Sequence, residues 1–330
     1  MTDAVRMTKV PGISAVVPVY RSAASLGELH RRLSAALAAL ADAYEIILVE
    51  DAGGDESWPR IEEIAAADPH VRGARMSRNY GQHNALLCGI RMARHGLVVT
   101  LDDDLQNPPE EIGRLVEALT DNVDVVYGTP SAQQHGFLRN QASRLTKLAM
   151  QGAMGAETAR RASTFRLFRT QIRDGFDRYR GPYVSIDVLL TWGTTRFTSA
   201  TVRHEPRAIG TSTYTLRMLV THAFTMMTGF STLPLQLASV IGFLFTLFGL
   251  VVLAYVLGSF LVNGSAVPGF AFLASIVALF SGAQLFALGI IGEYLARMHF
   301  RTMDRPSYLV RETTGDPPGD RPADGEVGPS

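Results

Sequence analysis

Short runs of Val, Ile and Leu recur along the N-terminal part of the chain, separated by longer segments in which apolar residues return every third or fourth position. The runs Ile13–Val19, Tyr44–Glu50, Val71–Met76, Gly96–Asp102 and Asp124–Gly128 read as strands. Between them, Ser25–Asp42, Ser57–Asp68, His83–His95 and Pro108–Asp121 read as helices. The last opens at "NPPEE", which predicts Asn107 as N-cap, Pro108 at the first helical position and Glu110 three residues after the cap. This βαβα order predicts an α/β fold, a mostly parallel sheet covered by helices, with ligands at the carboxyl ends of the strands. Residues Phe137 to Val202 are less regular and predict helices mixed with a strand or two.

The pattern changes after Arg217. From Met218 through Gly292 there is no Asp, Glu, Lys or Arg, in a chain that is 19% charged overall. Within that stretch Leu237–Val262 and Gly269–Gly292 are each longer than the roughly 20 apolar residues a bilayer span needs. They predict a transmembrane hairpin, the alternative of two buried core helices being disfavoured by their length and lack of charge. The connector "NGSAVP" is short and uncharged, whereas Arg297, Arg301, Arg305 and Arg311 follow the second span and Arg217 precedes the first. Both ends are therefore expected on the cytoplasmic side of the inner membrane. Gly282, Ala283, Gly289 and Gly292 read as small residues for close helix contact, and Gln284 as an interhelical hydrogen bond. Just before the spans, Leu216, Leu219, Ala223, Met226 or Met227 and Phe230 recur at helical spacing, which fits an interfacial helix or an ordinary core helix.

The expected map is a globular domain over 1–211, an amphipathic juxtamembrane region over 212–235, spans over 236–262 and 268–292, and a cytoplasmic tail over 293–330. The Pro-, Gly- and Asp-rich end predicts disorder from about residue 312. The 31 basic and 31 acidic residues cancel, so nothing pulls the chain toward nucleic acid, and no nucleic-acid partner is expected. One cysteine, Cys88, excludes an internal disulfide framework and a Cys-rich zinc site, and reads as a packing residue. Ile13–Val19 is too short and Val-rich for a signal-peptide core, so no export signal is expected.

The candidate chemistry is concentrated in "TLDDDLQNPPEE", Thr100 to Glu111. If the strand persists through Asp104, Asp102 and Asp104 share one side, Asp103 points away as a bystander, and Gln106 follows the first two. Two carboxylates and an amide carbonyl are hard oxygen ligands suited to Mg²⁺ or Mn²⁺. Pro18, Tyr20, Glu50 and Asp51 sit at the ends of the first two strands, facing the same edge. His83, in "RNYGQH", reads as a helix-start residue rather than a base.

Taken together, "VVPVY", "ILVEDAGGDES", "RNYGQHNALLCG", "LDDDLQNPPEEI", "RAIGTSTY", "GFSTLPLQLAS" and "GAQLFALGIIGEYLAR" resemble the inverting family 2 glycosyltransferases that charge polyprenyl phosphate. Dolichol-phosphate mannose synthases and bacterial undecaprenyl-phosphate sugar transferases with a two-span anchor, including the aminoarabinose type, belong to that group. The resemblance runs from about Ile13 to Val310. It implies a GT-A (Rossmann-like) domain over 1–211 that moves a sugar from a nucleotide-sugar donor, with UDP expected from the bacterial relatives, to polyprenyl phosphate in the membrane lipid. It implies that Pro18, Tyr20 and Asp51, with Glu50 beside them, hold the nucleoside, and that Asp102, Asp104 and Gln106 hold Mg²⁺ or Mn²⁺ and the donor diphosphate. Arg139 and Ser143 match positions that cradle the acceptor phosphate, while Arg166 and Arg207 match basic residues near the phosphates. Asp102, Asp104 and Arg207 then form the catalytic set. A homo-oligomer, if formed, would use the transmembrane or juxtamembrane helices.

The chain departs from its relatives in informative places. Where many read Val-Asp-Asp-Gly-Ser it has Val49-Glu50-Asp51-Ala52-Gly53, and their Asn-Glu after the first strand is Arg21-Ser22. Pro130 replaces a common Arg, Thr213 a common Lys, and Thr164 an acidic residue that is a candidate base in relatives. The missing base is tolerable, because a phosphomonoester with its second pKa at about 6 is already mostly dianionic at neutral pH. Asp187 is a further candidate for holding acceptor or sugar. The competing readings are a processive polysaccharide synthase, which the lack of a Gln-x-x-Arg-Trp motif disfavours, and a non-catalytic scaffold that retained the fold.

Overall fold

The structure is a computed structural model that describes residues 9–130, 162–181, 184–205, 233–263, 269–303 and 305–314. It divides into two compact units, the first holding the sheet and the second two long helices.

The first unit is built on an eight-stranded sheet. Its strands are β1 (Val10–Val19), β2 (Ala41–Glu50), β3 (Val71–Met76), β4 (Leu97–Thr100), β5 (Val125–Pro130), β6 (Arg166–Arg169), β7 (Phe197–Val202) and β8 (Val310–Thr313). They lie in the order β7-β5-β6-β4-β1-β2-β3-β8. All neighbouring pairs are parallel except those of β6 with β4 and β5, and of β8 with β3. The helices α1 (Ala23–Leu40), α2 (Ser57–Ala67), α3 (Gln82–Met92), α4 (Ile112–Ala118) and α5 (Ile186–Gly193) cover it.

Strand alternation sorts the core onto two faces. Ile13, Ala15, Val17 and Val19 of β1, with Ile46 and Leu48 of β2, face the cluster containing Leu26, Leu29, Leu33 and Leu37 of α1 and Ile61 and Ile64 of α2. Val16, Ile47 and Val49 face the opposite cluster, with Leu86, Leu87 and Ile90 of α3 and Leu189 of α5. Both faces are covered, so β1 and β2 read as nearly unbroken apolar runs rather than alternating ones. On the second face α3 runs close to the sheet at Gly89, where a Cβ would collide with Cγ1 of Val16 and sit 3.2 Å from Cγ2 of Val49.

Four local expectations change. Ala41 and Asp42 belong to β2 rather than to the preceding helix, because Ala41 pairs with Val10 and Ala43 with Gly12. Strand β4 ends at Thr100, so the acidic residues that follow lie on a turn. The helix predicted from Pro108 begins instead as a short 3-10 turn, Pro109–Glu111, capped by the Pro108 position without a side-chain bond. Asn107 is buried and reaches His204 at 3.4 Å, while Glu110 turns outward onto Arg32 at 2.7 Å. Finally, β8 carries Arg311, Glu312 and Thr313 into the sheet edge, where Gly73 N donates to Thr314 Oγ1 at 2.8 Å. The sequence beyond Thr314 lies outside the described residues.

The second unit pairs α6 (Leu233–Asn263) with α7 (Phe270–Thr302). Leu235–Ser259 and Leu279–Ala296 are long and apolar enough to cross a membrane. At 1.5 Å per residue the 33 residues of α7 extend about 50 Å, against a hydrocarbon core of about 30 Å. The helix therefore continues past Gly292 through Glu293 and the positions of Arg297 and Arg301. Phe280 meets Phe245 edge-on, with ring centroids 5.5 Å apart, and a Cβ on Gly249 would lie 3.2 Å from its ring. Gly249 is thus the small residue that admits the neighbouring helix. Gly282, Gly289 and Gly292, expected in that role, have nothing within 4 Å of a Cβ among the described residues, and Gln284 is exposed. The amphipathic region over 212–232 lies outside the described residues.

Candidate active site

Three non-glycine residues among those described hold a left-handed backbone: Arg21, Ala52 and Leu105, with φ of 57°, 50° and 61°. Each follows the carboxyl end of a strand, β1, β2 and β4 respectively. Strained backbone of this kind concentrates where a site demands it, and these ends carry nearly every described residue singled out from the sequence.

At the end of β1, Pro18 is buried and Tyr20 is 44% exposed, with the Arg21 guanidinium 5.3 Å from its ring centroid. At the end of β2 the two acids are committed differently. Glu50 is buried, accepts the Gly53 amide at 2.6 Å and pairs with Arg75 at 3.4 Å. Asp51 accepts the Tyr80 and Gly81 amides, each at 2.7 Å, one on each carboxylate oxygen. It thereby pins the loop into α3, which turns at Gly81 with φ of 91°. Burial pushes the Asp51 carboxyl up from its usual value, the two amides pull it back, and neighbouring Glu50 pushes it up again.

The acidic turn follows β4. Asp102 accepts Gln82 Nε2 on Oδ1 at 2.5 Å and Thr164 Oγ1 on Oδ2 at 2.7 Å. Its carboxyl is pushed up to about 6, chiefly by burial, with Thr164 lowering it, Asp104 and Asp103 raising it, and Arg166 lowering it. Asp103 does not point away from the strand ends, because its Oδ2 accepts the Tyr20 amide at 3.1 Å and ties the turn to the end of β1. The alternation that set it aside requires a strand, and the strand has already ended. Asp104 accepts the Gln106 amide at 3.1 Å, and Gln106 O accepts the Glu205 amide at 2.9 Å. That last bond ties the chain leading toward Arg207 to the turn. Arg207, Arg139 and Ser143 lie outside the described residues.

Arg166 is placed unexpectedly. It is 0% exposed in β6, its Nη1 bonded to Asp187 at 2.5 Å, while its Nε and Nη2 have no hydrogen-bond partner among the described residues. Its charge reaches the site through Asp102 rather than at an exposed surface. Asp187 is correspondingly internal, and His83 Nδ1 accepts the Ile186 amide at 3.4 Å at the start of α5.

No three His, Cys, Asp or Glu side chains converge on one point among the described residues. The turn nevertheless fits a divalent cation. Three consecutive carboxylates repel one another, the first is only partly exposed, and Mg²⁺-type sites are commonly completed by substrate phosphates around one or two protein carboxylates. Asp102, Asp104 and Gln106 are the residues of the turn whose oxygens could serve as hard donors in that arrangement.

A mixed α/β sheet of this topology with an acidic turn after its fourth strand defines a GT-A glycosyltransferase. The chain belongs to glycosyl transferase family 2, whose model matches residues 14–176. It is 36% identical over 309 residues to the undecaprenyl-phosphate 4-deoxy-4-formamido-L-arabinose transferase of Pseudomonas fluorescens, covering 93% of this chain and 91% of that protein. The protein of the same name from Yersinia enterocolitica is 35% identical over 315 residues, covering 93% and 95%. Among solved structures, glucosyl-3-phosphoglycerate synthase from Mycobacterium tuberculosis, in complex with Mn²⁺, UDP and glucosyl-3-phosphoglycerate, superposes with a TM-score of 0.50. At 15% identity over 66% of this chain and 78% of that one, this likeness concerns the fold.

Gln82 and Thr164 are the site residues that sequence reasoning missed. Gln82 stands inside the "RNYGQH" motif beside the more conspicuous His83, and Thr164 offers a hydroxyl that no local sequence pattern marks.

Proposed function

We propose that the protein transfers a sugar from a nucleoside diphosphate, UDP in the first instance, to a polyprenyl phosphate at the cytoplasmic face of the inner membrane. The product would be a lipid-linked monosaccharide for the cell envelope. The observation that carries this reading is identity of 36% sustained over 91% of an undecaprenyl-phosphate sugar transferase, a length that takes in both long apolar helices. The helices would hold the sheet domain, about residues 1–211, at the bilayer surface, where an acceptor that never leaves the membrane is met in two dimensions.

In the reaction an oxygen of the lipid phosphate attacks the anomeric carbon while the bond from that carbon to the diphosphate breaks, and the electron pair leaves with the nucleoside diphosphate. The configuration inverts. The attacking phosphate needs no strong base, since it is already ionised at neutral pH. This accommodates a hydroxyl at Thr164, where relatives carry an acid. Bound Mg²⁺ or Mn²⁺ would supply positive charge to the departing diphosphate. The chain's own residues orient the reactants: Pro18, Tyr20, Glu50 and the loop pinned by Asp51 enclose the nucleoside, and Asp102, Asp104 and Gln106 face the diphosphate. Arg207, Arg139 and Ser143 are assigned to the phosphates by resemblance, and buried Arg166 contributes its charge from behind Asp102.

The test incubates membranes containing the protein with labelled nucleotide sugars and polyprenyl phosphate, followed by extraction into organic solvent. Label in the lipid is expected with one donor, and Asp104→Asn should reduce it on the order of a hundredfold, the loss typical of removing one electrostatic contributor. If no donor labels lipid, or if Asp104→Asn labels as well as wild type, the reading is wrong.

A further inference from the structure

We propose that Gln82 and Thr164 are positioning residues that clamp the Asp102 carboxylate for a divalent cation and the donor diphosphate. This rests on the reading of the acidic turn as the cation site. Asp102 lies beyond the end of β4, so strand geometry does not orient its side chain. Orientation comes instead from two neutral donors on two separate elements. Gln82, the first residue of α3, holds Oδ1 at 2.5 Å, and Thr164, two residues before β6, holds Oδ2 at 2.7 Å. One donor on each oxygen fixes both the tilt and the rotation of the carboxylate plane. Neither donor carries charge, so the full negative charge of Asp102 remains available to a cation. A Lys or Arg at either position would hold the same oxygen but neutralise it.

Each jaw of the clamp is braced. Thr100 Oγ1, at the last position of β4, donates to the Thr164 carbonyl at 2.8 Å. Gln82 follows the two amides that Asp51 captures, and Asn84 Nδ2 closes the same loop onto the Tyr80 carbonyl at 2.7 Å. Asp51 therefore fixes the two residues that precede Gln82 in the chain, and Gln82 in turn reaches Asp102. A carboxylate at the Thr164 position would place a further negative charge against Asp102; here a hydroxyl supports it. Outer residues that orient metal ligands typically contribute 10- to 100-fold to metal affinity.

The experiment measures Mn²⁺ binding to the full-length, detergent-solubilised protein with UDP present, reading free Mn²⁺ by electron paramagnetic resonance. Thr164→Val keeps the shape and removes the donor, and should weaken binding by about tenfold or more. Thr164→Ser keeps the hydroxyl and should bind within a few-fold of wild type. Gln82→Met should weaken binding in the same direction as Thr164→Val. Melting without metal should be nearly unchanged in Thr164→Val, which separates positioning from loss of fold. Wild-type affinity in Thr164→Val, or equal weakening in Thr164→Ser, would overturn the clamp while leaving the cation site standing. If wild-type protein itself fails to bind Mn²⁺ with UDP, both the cation site and the clamp are refuted.

Discussion

Arg166 and Asp187 hold each other inside the fold, Nη1 to Oδ1 at 2.5 Å, with the guanidinium wholly inaccessible. Tyr127 donates its hydroxyl to the same oxygen at 3.1 Å, and its own ionisation is pushed well up, first by burial and then by the Asp187 charge. Removing one member of such a pair strands the other charge in an apolar layer. Asp187→Ala should therefore cost about 3–5 kcal/mol of stability in a denaturant melt of the solubilised protein. A loss below about 1 kcal/mol would place the pair with ordinary solvated surface bridges.

Ala52 should be improvable. Its φ of 50° places a Cβ where L-residues are strained. Ala52→Gly is expected to stabilise the protein by about 0.5–1 kcal/mol, the relieved strain less the added chain entropy. Differential scanning calorimetry would show this as a melting point about 2 °C higher. An unchanged or lower melting point would mean that the loop is not strained in solution.

Gly89 sets how close α3 lies to β1. Gly89→Ala would drive a methyl into Val16 and cost about 1–3 kcal/mol. Because the amino end of the same helix carries Gln82, the variant should also need more Mn²⁺ for half-maximal donor binding. Destabilisation without any change in the metal requirement would show that the helix shifts without moving its first turn.

If Asp102 holds the cation as proposed, the pH dependence of binding follows from it, because its carboxyl, pushed up to about 6 by burial foremost, takes a proton in competition with metal. Below pH 6 the affinity for Mn²⁺ should fall about tenfold per pH unit, and above about pH 7 it should level off. In metal-free protein the sign is opposite. The folded pKa lies above the ordinary value of 3.8, so stability should decline as pH rises from about 4 to about 6 and then flatten. Titrations from pH 5 to 8 with constant Mn²⁺ affinity would remove Asp102 from the ligand set.

Much of this site was legible because strand ends are legible. The largely apolar strands β1, β2 and β4 stop at Val19, Glu50 and Thr100, and the residues that follow them gather at the candidate site. What failed was extrapolation past those ends. Treating Asp102 to Asp104 as strand made Asp103 idle, whereas the turn after Thr100 brings it to Tyr20. The clamp on Asp102 was hidden for another reason. Its partners lie 20 and 62 residues away in sequence, and a glutamine or threonine in a loop carries no local pattern. Strand β8 was invisible likewise, four residues with two charges whose pairing partner, β3, lies more than two hundred residues earlier.

That late strand has a consequence for how the protein is made. The sheet has β7 at one margin and β8 at the other, and both long apolar helices fall between them in the chain. Synthesis at roughly 5–20 residues per second puts on the order of ten seconds between completion of Val202 and of Thr313. For that interval β3 is a bare sheet margin, able to pair with any passing strand. The nascent protein carries its aggregation hazard during the time its apolar helices are emerging, and the four residues of β8 are the ones that remove it.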